Sequence, residues 1–517
     1  MSDVPTASIP KSWIWARILD VATTATGGTP SRSMSTYFGG NIPWVKSGEL
    51  GDGHVFDTEE TLSELGLKSS NAKLFPKGTL CIALYGATVG KLGILEVDAA
   101  TNQAVCGLFL PDEVHRDFVF YYLASIRRHL IEQGKGGAQS NISNGLVRQT
   151  RIPIAPLAEQ VRIVAKIEEL FSDLDAGVAA LKRAKANLKR YRASVLKSAV
   201  EGELTEQWRA KHPAKEPASA LLAHILLERR QKWEADQLAK FAAAKKEPPK
   251  NWRDKYVEPS PPDSTCLQEL PEGWCWGSLE QLTSAVRPIC YGILMPKENV
   301  AEGVPYVRVK DMKGDRIDVL NLHRTRPEIA AEYARATLIP GDWLLAIRGT
   351  YGRLAEVPPE LEGGNITQDT ARLAVVNDIS AGFVATALRS SLCQLFFKRV
   401  ARGVAVKGVN IGDVRLCPIP IGPKEEQLQI LQMVSERLSQ IDSAEKQIEN
   451  GLLRAARLRQ SILKRAFEGK LVPQDPKDEP ASALLERLRA SRTIHEGSGN
   501  RPTSSIPHRS KSRGKKS

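Results

Sequence analysis

The stretch Leu196-Lys197-Ser198-Ala199-Val200-Glu201-Gly202-Glu203-Leu204 returns 267 residues later as Leu463-Lys464-Arg465-Ala466-Phe467-Glu468-Gly469-Lys470-Leu471. It closes a gapless match of residues 157–204 with 424–471, and the chain around it is also written twice. Residues 9–15 answer 270–276, 42–46 answer 304–308, 75–78 answer 339–342, and 217–222 answer 480–485. Ile152-Pro153-Ile154-Ala155-Pro156, followed by Glu159-Gln160, returns as Ile419-Pro420-Ile421-Gly422-Pro423 with Glu426-Gln427. Between these marks, residues 16–150 and 277–417 share only scattered turn residues. A period this long excludes a solenoid, so each copy is a domain with an appendage. A constant scaffold carrying two divergent heads points to shared mounting and different specificity.

The constant part reads as two long helices. From Pro156 to Glu201 there is no internal proline, and Gly177 is the only glycine. Ile167, Leu174, Leu181, Leu188 and Val195 fall at seven-residue steps, with Leu170, Ala184 and Tyr191 on a second seam. The second copy repeats the register with Val434, Ile441, Ile448, Ala455 and Ile462, a heptad signature. Prolines before the first turn and Gly202 or Gly469 after the last mark both ends. Acids such as Glu168, Glu169 and Asp173 gather in the first half of helix one, and bases such as Lys182, Arg183, Lys185, Lys189, Arg190, Arg192 and Lys197 in the second. That gradient suits the helix dipole; direct contact of the bases with DNA is the alternative. A helix of about 45 residues spans about 68 Å, the length of about 20 base pairs. One such helix cannot hide its apolar seam alone, so the two are expected to pack antiparallel with one head at each end.

The expected class is α+β: two mixed α/β heads separated by two long antiparallel coiled-coil helices in a pseudo-twofold repeat. The boundaries are head one at 1–156, spacer helix one at 157–204, a connector at 205–268, head two at 269–423, spacer helix two at 424–471, and a C-terminal segment at 472–517. β-like runs at 79–84 and 343–347 lie between Gly/Pro turns, and helical stretches at 117–133 and 381–400 precede the spacers. The connector predicts a polar helix near 217–246 and then an extended, flexible Pro-rich segment. Residues 497–517 hold six Lys/Arg and no acid and read as a disordered basic tail.

Composition supports this reading and limits the chemistry. The 517 residues suffice for about three domains. With 72 Lys+Arg against 59 Asp+Glu, the net charge of +13 permits a polyanionic partner without requiring one. No run of about 18 apolar residues occurs, and the N-terminal stretch has no apolar region of a secretory signal, so a cytoplasmic location is expected. The seven cysteines (Cys81, Cys106, Cys266, Cys275, Cys290, Cys393, Cys417) are scattered and never spaced C-x-x-C, and the eight histidines are as dispersed. Neither a disulfide framework nor a metal site is expected. Gly86-Ala87-Thr88-Val89-Gly90-Lys91 fails as a phosphate loop, having three residues between its glycines and no Ser/Thr after the lysine. A hairpin turn, or a glycine turn approaching a DNA phosphate, remains. No nucleophile elbow, zinc-protease, dinucleotide-binding or amino-methyltransferase motif appears, so no catalytic residue is assigned.

Order, duplication and spacing together resemble the specificity subunit of type I restriction–modification systems, over roughly residues 9–490. The Leu-Lys-x-Ala-hydrophobic-Glu-Gly-x-Leu ends and the Ile-Pro-hydrophobic-x-Pro entries carry the likeness. So do Thr29 to Arg32 and Gly40-Asn41-Ile42-Pro43-Trp44 in head one, where head two has Arg287-Pro288-Ile289-Cys290-Tyr291-Gly292. The resemblance implies a non-catalytic DNA-reading subunit whose heads each read half of a split, asymmetric site. Its helices would set the gap and dock two modification (methyltransferase) subunits, and restriction/translocase subunits would join them. S-adenosylmethionine, and ATP with Mg for restriction, would belong to those partners; no cofactor or metal is expected on this chain. Sequence is read at base edges from loops, whereas phosphate contacts position. On that basis the candidates in head one are Arg32, Lys46, Ser47, Tyr85, Asn102, Gln103, Gln139 and Asn141, with Lys135 on phosphate. In head two they are Arg287, Tyr291, Arg308, Lys310, Arg348, Tyr351, Gln368 and Asn410, with Arg402 and Lys407 on phosphate. Lys46 matches Arg308, Gln103 matches Gln368 and Asn141 matches Asn410, which a shared turn-capping role would also explain. A coiled-coil scaffold with two ligand- or protein-binding heads and no DNA binding is the alternative.

Overall fold

Both spacer segments are unbroken helices of 44 residues, Leu157–Val200 and Lys424–Phe467. The computed structural model describes residues 8–134, 141–265, 267–404 and 406–497, with side chains as far as 491. The basic tail, Lys135, Gln139 and Cys266 lie outside the described residues. The chain divides into two units whose boundaries cut both helices near their middles: one runs to Leu181 and resumes at Asn450, the other is Lys182–Glu449. The sequence boundary at 156/157 had separated head from helix. In the first unit no such boundary exists, because Ile163, Val164, Ile167 and Phe171 of helix one and Ile462, Leu463, Ala466 and Phe467 of helix two complete the head's own core.

Within each unit the two helix halves run antiparallel, and charge follows. In the first, Asp175 pairs with Arg459, whose guanidinium also lies 4.2 Å over the Phe171 ring. In the second, Lys185 meets Glu449 at 2.8 Å, and Arg192 meets Asp442 and, at 3.1 Å, Glu445. Each acid-rich first half therefore faces the base-rich second half of the other helix, a pairing that a parallel arrangement would turn into repulsion. Lys185 and Arg192 thus have partners within the protein. The ten heptad residues are all buried or half-buried. Tyr191 is 48% exposed, so the second seam is not continued there; its neighbour Arg192 turns inward instead.

The duplicated motifs are the mounts. Trp13 Nε1 donates to Glu159 Oε2, and Trp274 Nε1 to Glu426 Oε2, both at 2.9 Å. The next residue, Gln160 or Gln427, accepts from the backbone N–H of His115 or Ser380 and donates to the carbonyl of Ala155 or Gly422. At the far ends Gly202 (φ +73°) and Gly469 (φ +66°) sit against prolines: a Cβ would come within 2.6 Å of Pro271 Cγ and 2.3 Å of Pro10 Cγ. Backbone conformation and close approach both require glycine. The trailing repeat docks alike, Ala218 N–H on the Gly273 carbonyl and Ala481 N–H on that of Ser12. Each head is therefore mounted on the start of one spacer helix and the end of the other.

Head one holds a five-stranded sheet in the spatial order Thr23–Thr26, Val105–Phe109, Leu80–Ala83, Leu92–Leu95, Gly53–Val55, and a four-stranded sheet around Phe38–Val45. Ile14–Arg17 pairs antiparallel with Arg151–Ile154 and closes the domain. Head two repeats the plan with Cys290–Tyr291, Thr370–Leu373, Trp343–Ala346 and Leu354–Glu356, a three-stranded sheet around Val304–Val307, and Cys275–Ser278 closing on Pro418–Ile421. The connector helix spans Ala218–Ala243. The Pro-rich segment after it is held in place, contrary to the flexible strand expected. Trp252 stacks 6.0 Å from Trp233, Arg229 donates to the Tyr256 hydroxyl and the Thr283 carbonyl, and Pro259 and Pro262 are buried. The aromatic side chains supply apolar area that a Pro-rich segment lacks. No helix among the described residues is long and apolar enough to cross a membrane.

Candidate functional site

In head two, the antiparallel strands Trp343–Ala346 and Leu354–Glu356 are joined by a turn through Gly349 (φ +71°) and Gly352 (φ +84°). Ile347, at the base of this hairpin, organises two further loops. Its N–H donates to the Asp369 carbonyl and its carbonyl accepts from Val409 N–H, both at 2.8 Å. Arg402 and Gly408 exchange backbone hydrogen bonds at 2.8 and 2.9 Å and close the third loop. The result is a cleft of about 1030 Å³ lined by Tyr291, Lys310, Arg348, Arg353, Gln368, Arg402 and Asn410, with Asp369 as its one acid. Arg353 is anchored on the carbonyl of Met312 at 2.9 Å. Arg348 lies 4.0 Å from Asp369, and the side chains of Lys310 and Arg402 have no ion-pair partner among the described residues. Cations lining such a concave surface concentrate positive potential within it.

Six of the sequence candidates line this one cleft: Tyr291, Lys310, Arg348, Gln368, Arg402 and Asn410. Lys407 is exposed on the same loop, its carbonyl accepting from Gly349 N–H. Tyr351 lies on the adjoining hollow with Gln394 and Lys398. Two candidates are held in ion pairs within the head. Arg287 donates to both oxygens of Asp342 at 2.8 and 2.6 Å and to the Thr337 carbonyl, fastening the turn before Trp343. Arg308 forks onto Asp311 at 2.8 and 3.0 Å, and that carboxylate holds its pKa up. Sequence reading missed Arg353 and the fully buried Arg372. The Arg372 Nη2 donates to the carbonyls of Pro288 and Arg335 at 3.0 Å, and the Arg335 guanidinium lies 5.5 Å over the Tyr291 ring at the cleft. Register puts Gly107 at this position in head one, where a Cβ would strike the Phe75 ring at 2.7 Å, so no pattern in the repeat could signal the arginine.

Head one has the same frame with different furniture. Gly90 N–H bonds to Ala83, Leu84 N–H to Ala104 and Ile142 N–H to Leu84, as Gly352, Ile347 and Val409 do in head two. This register sets Tyr85 against Arg348 and Gln103 against Gln368. It sets Ser143, rather than Asn141, against Asn410: both occupy the residue before a short helix, and Ser143 Oγ accepts from Leu146 N–H at 3.0 Å. Asn141 is exposed two residues earlier. Arg32 pairs with Glu60 at 2.6 Å, and Lys46 with Glu59 at 2.7 Å and Glu60 at 3.1 Å. The two glutamates raise the Lys46 pKa, and Arg32 ahead of Lys46 lowers that of Glu60. Lys46 and Arg308 also open equivalent turns, their N–H groups held by Glu49 and Asp311. Ser47 uses its carbonyl to accept from Thr88, Asn102 Oδ1 caps Ala104 N–H, Gln103 contacts Thr29, and Tyr85 packs half-buried on the head's core.

A duplicated two-head protein with long paired helices and a basic cleft defines the class of architecture. Residues 10–184 match the family model described as the type I restriction modification DNA specificity domain. The chain is 28% identical to the EcoBI specificity subunit of Escherichia coli, covering 77% of each. It is 24% identical to the EcoKI specificity subunit of E. coli strain K12, covering 95% of this chain and 97% of that one. Its fold is similar, at TM-score 0.65 and 17% identity over 90% of this chain and 99% of the other, to a chain from work on the complex assembly and conformational transition of the type I R-M system. Over most of its length the chain is thus similar to specificity subunits of type I restriction–modification systems.

Proposed function

We propose that this chain is the DNA-reading subunit of a cytoplasmic type I restriction–modification complex, each head reading one half of a split, asymmetric duplex site. The observation that carries this is two heads on one hydrogen-bonded frame with different residues at the matching loop positions, Arg348 against Tyr85 and Asn410 against Ser143. A frame kept constant while its loops diverge is what reading two unlike half-sites needs. In head two, Arg348, Gln368 and Asn410 carry the donors suited to base edges, Lys310 and Arg402 suit phosphates, and Arg353 and Arg372 hold the cleft. In head one, Tyr85, Gln103, Asn141 and Ser143 are the candidate readers outside any ion pair, whereas Arg32 and Lys46 first have to leave Glu59 and Glu60. The spacer helices fix the unread gap, and two modification subunits and the restriction/translocase subunits assemble around them. Methyl transfer, S-adenosylmethionine, ATP and Mg belong to those subunits; this chain supplies binding and geometry.

Methylome mapping with and without the gene tests the reading: one split motif disappears with the chain, and an unchanged methylome rejects it. Exchanging residues 16–150 for another family member's head alters one half-site alone. Inserting a heptad into both spacer helices widens the gap and leaves the bases unchanged.

A further inference from the structure

Dispersed histidines gave no sign of a metal site, yet folding of the second unit gathers three donors. His224 and Glu228 lie one turn apart on the connector helix Ala218–Ala243, and Asp378 precedes helix Ala381–Arg389 of head two. One ligand atom from each lies within 4.8 Å of the others. His224 Nε2 is 3.1 Å from Glu228 Oε1, while Lys232 Nζ occupies the other oxygen, Oε2, at 2.6 Å. The oxygen that faces the imidazole is therefore the one Lys232 leaves open.

The first unit shows what this position does when built differently. The trailing repeat aligns Arg487 with His224. Glu113 aligns with Asp378, since His115 and Ser380, two residues further on, receive the same glutamine clamp. Arg487 is a fixed cation: it pairs with Glu479 at 2.5 and 2.8 Å, and Glu113 adds to the field on it. In the second unit the guanidinium is replaced by an imidazole, the carboxylate of Asp378 stands where Glu113 does, and Glu228 adds a second carboxylate where the first unit has Ser491, with Lys232 compensating in part.

We propose that His224, Glu228 and Asp378 form a divalent-cation site of the zinc class that fastens the connector helix to head two. A bound ion supplies there a positive charge facing Asp378, as Arg487 supplies one in the field of Glu113 in the first unit. One imidazole nitrogen and two carboxylate oxygens are donors that suit Zn²⁺. Tetrahedral ligation at about 2.1 Å spaces donors about 3.4 Å apart. The side chains then close by about 1.4 Å at most, a movement open to groups this near the surface, and water completes the shell.

The test is calorimetric titration of chelator-treated full-length chain with Zn²⁺ at pH 7, alongside thermal unfolding. One saturable site is expected, weakened at least about tenfold by His224→Ala and by Asp378→Asn. Lys232→Ala tightens it by removing the competing cation, and His212→Ala, on the segment before the connector helix, leaves it unchanged. Zn²⁺ raises the unfolding midpoint of the wild type and not that of His224→Ala, whose midpoint in zinc-free buffer reports on its folding. Equal Zn²⁺ affinity in wild type and His224→Ala, or no saturable binding by the wild type below about 1 mM, overturns the proposal. Neither result depends on DNA, so it stands or falls apart from the DNA-reading function.

Discussion

In head one Arg32 and Lys46 lean on Glu59 and Glu60; in head two Lys310, Arg348 and Arg402 surround a cleft with Asp369 as its lone acid. The strands beneath and the bonds that hang the loops are nevertheless the same. Duplication preserved what a head needs in order to stand on its helices and released what it presents to a ligand. The mounts show the limit of that freedom, since even there one residue differs in its partners. Glu426 receives Trp274, Thr205 and Arg209, a salt bridge at 2.6 Å. Glu159 receives Trp13 and Gln474 and, among the described residues, no cation directly, and burial raises its pKa.

Truncating the mount is the most severe way to break the comparison. Trp13 packs on Phe118 and Trp274 on Phe383, so either Trp→Ala change removes an aromatic anchor as well as a buried hydrogen bond. Each costs about 3–5 kcal/mol in denaturant titration, and a loss under about 1 kcal/mol for one alone would mean that the two mounts are not equivalent. The glutamates separate the units next. Glu426→Gln leaves Arg209 without its carboxylate and costs about 2 kcal/mol, whereas Glu159→Gln costs less at pH 7. The sign for Glu159 follows from its raised pKa. Its stabilising contribution is complete below the ordinary glutamate value and is lost as pH rises through the elevated one. Glu159→Gln therefore compares better with wild type at pH 7 than at pH 4, and a pH-independent difference would contradict this.

The clefts come next. Arg348→Ala and Arg402→Ala should each weaken duplex binding about tenfold. Arg402→Ala should also reduce the salt slope by about 1. Arg32→Ala and Lys46→Ala, already neutralised within head one, should change binding by less than about threefold; a larger effect would show that DNA displaces Glu59 and Glu60. Smallest of all, Arg192→Ala on the spacer should cost about 0.5 kcal/mol, read as a slight fall in the unfolding midpoint.

Much of the architecture was legible in the residues. Heptads and proline-free runs mark the spacer helices because an apolar seam has one period in a helix wherever the helix lies. Six candidates of head two share one cleft because Arg, Lys, Gln and Asn side chains and the Tyr hydroxyl in Gly-rich loops are costly to bury. The internal ion pairs of Arg287, Arg308, Arg32 and Lys46 were not legible for a related reason. Their acidic partners lie 3 to 55 residues away, and no spacing rule reveals an ion pair across a turn. The Asn141–Asn410 match failed because identity of residue type is weaker evidence of equivalence than the hydrogen bonds of Ile142 and Val409.

By itself the sequence determined the duplication, the two long helices and the separation of constant mount from variable head, since periodicity and repetition are properties of chain order. Tertiary structure alone decided which helix end each head sits on, which cations are spent on internal carboxylates and which stand free. It also decided that His224, Glu228 and Asp378 meet. Those outcomes depend on distances between residues remote in the chain, and a one-dimensional pattern carries no record of them.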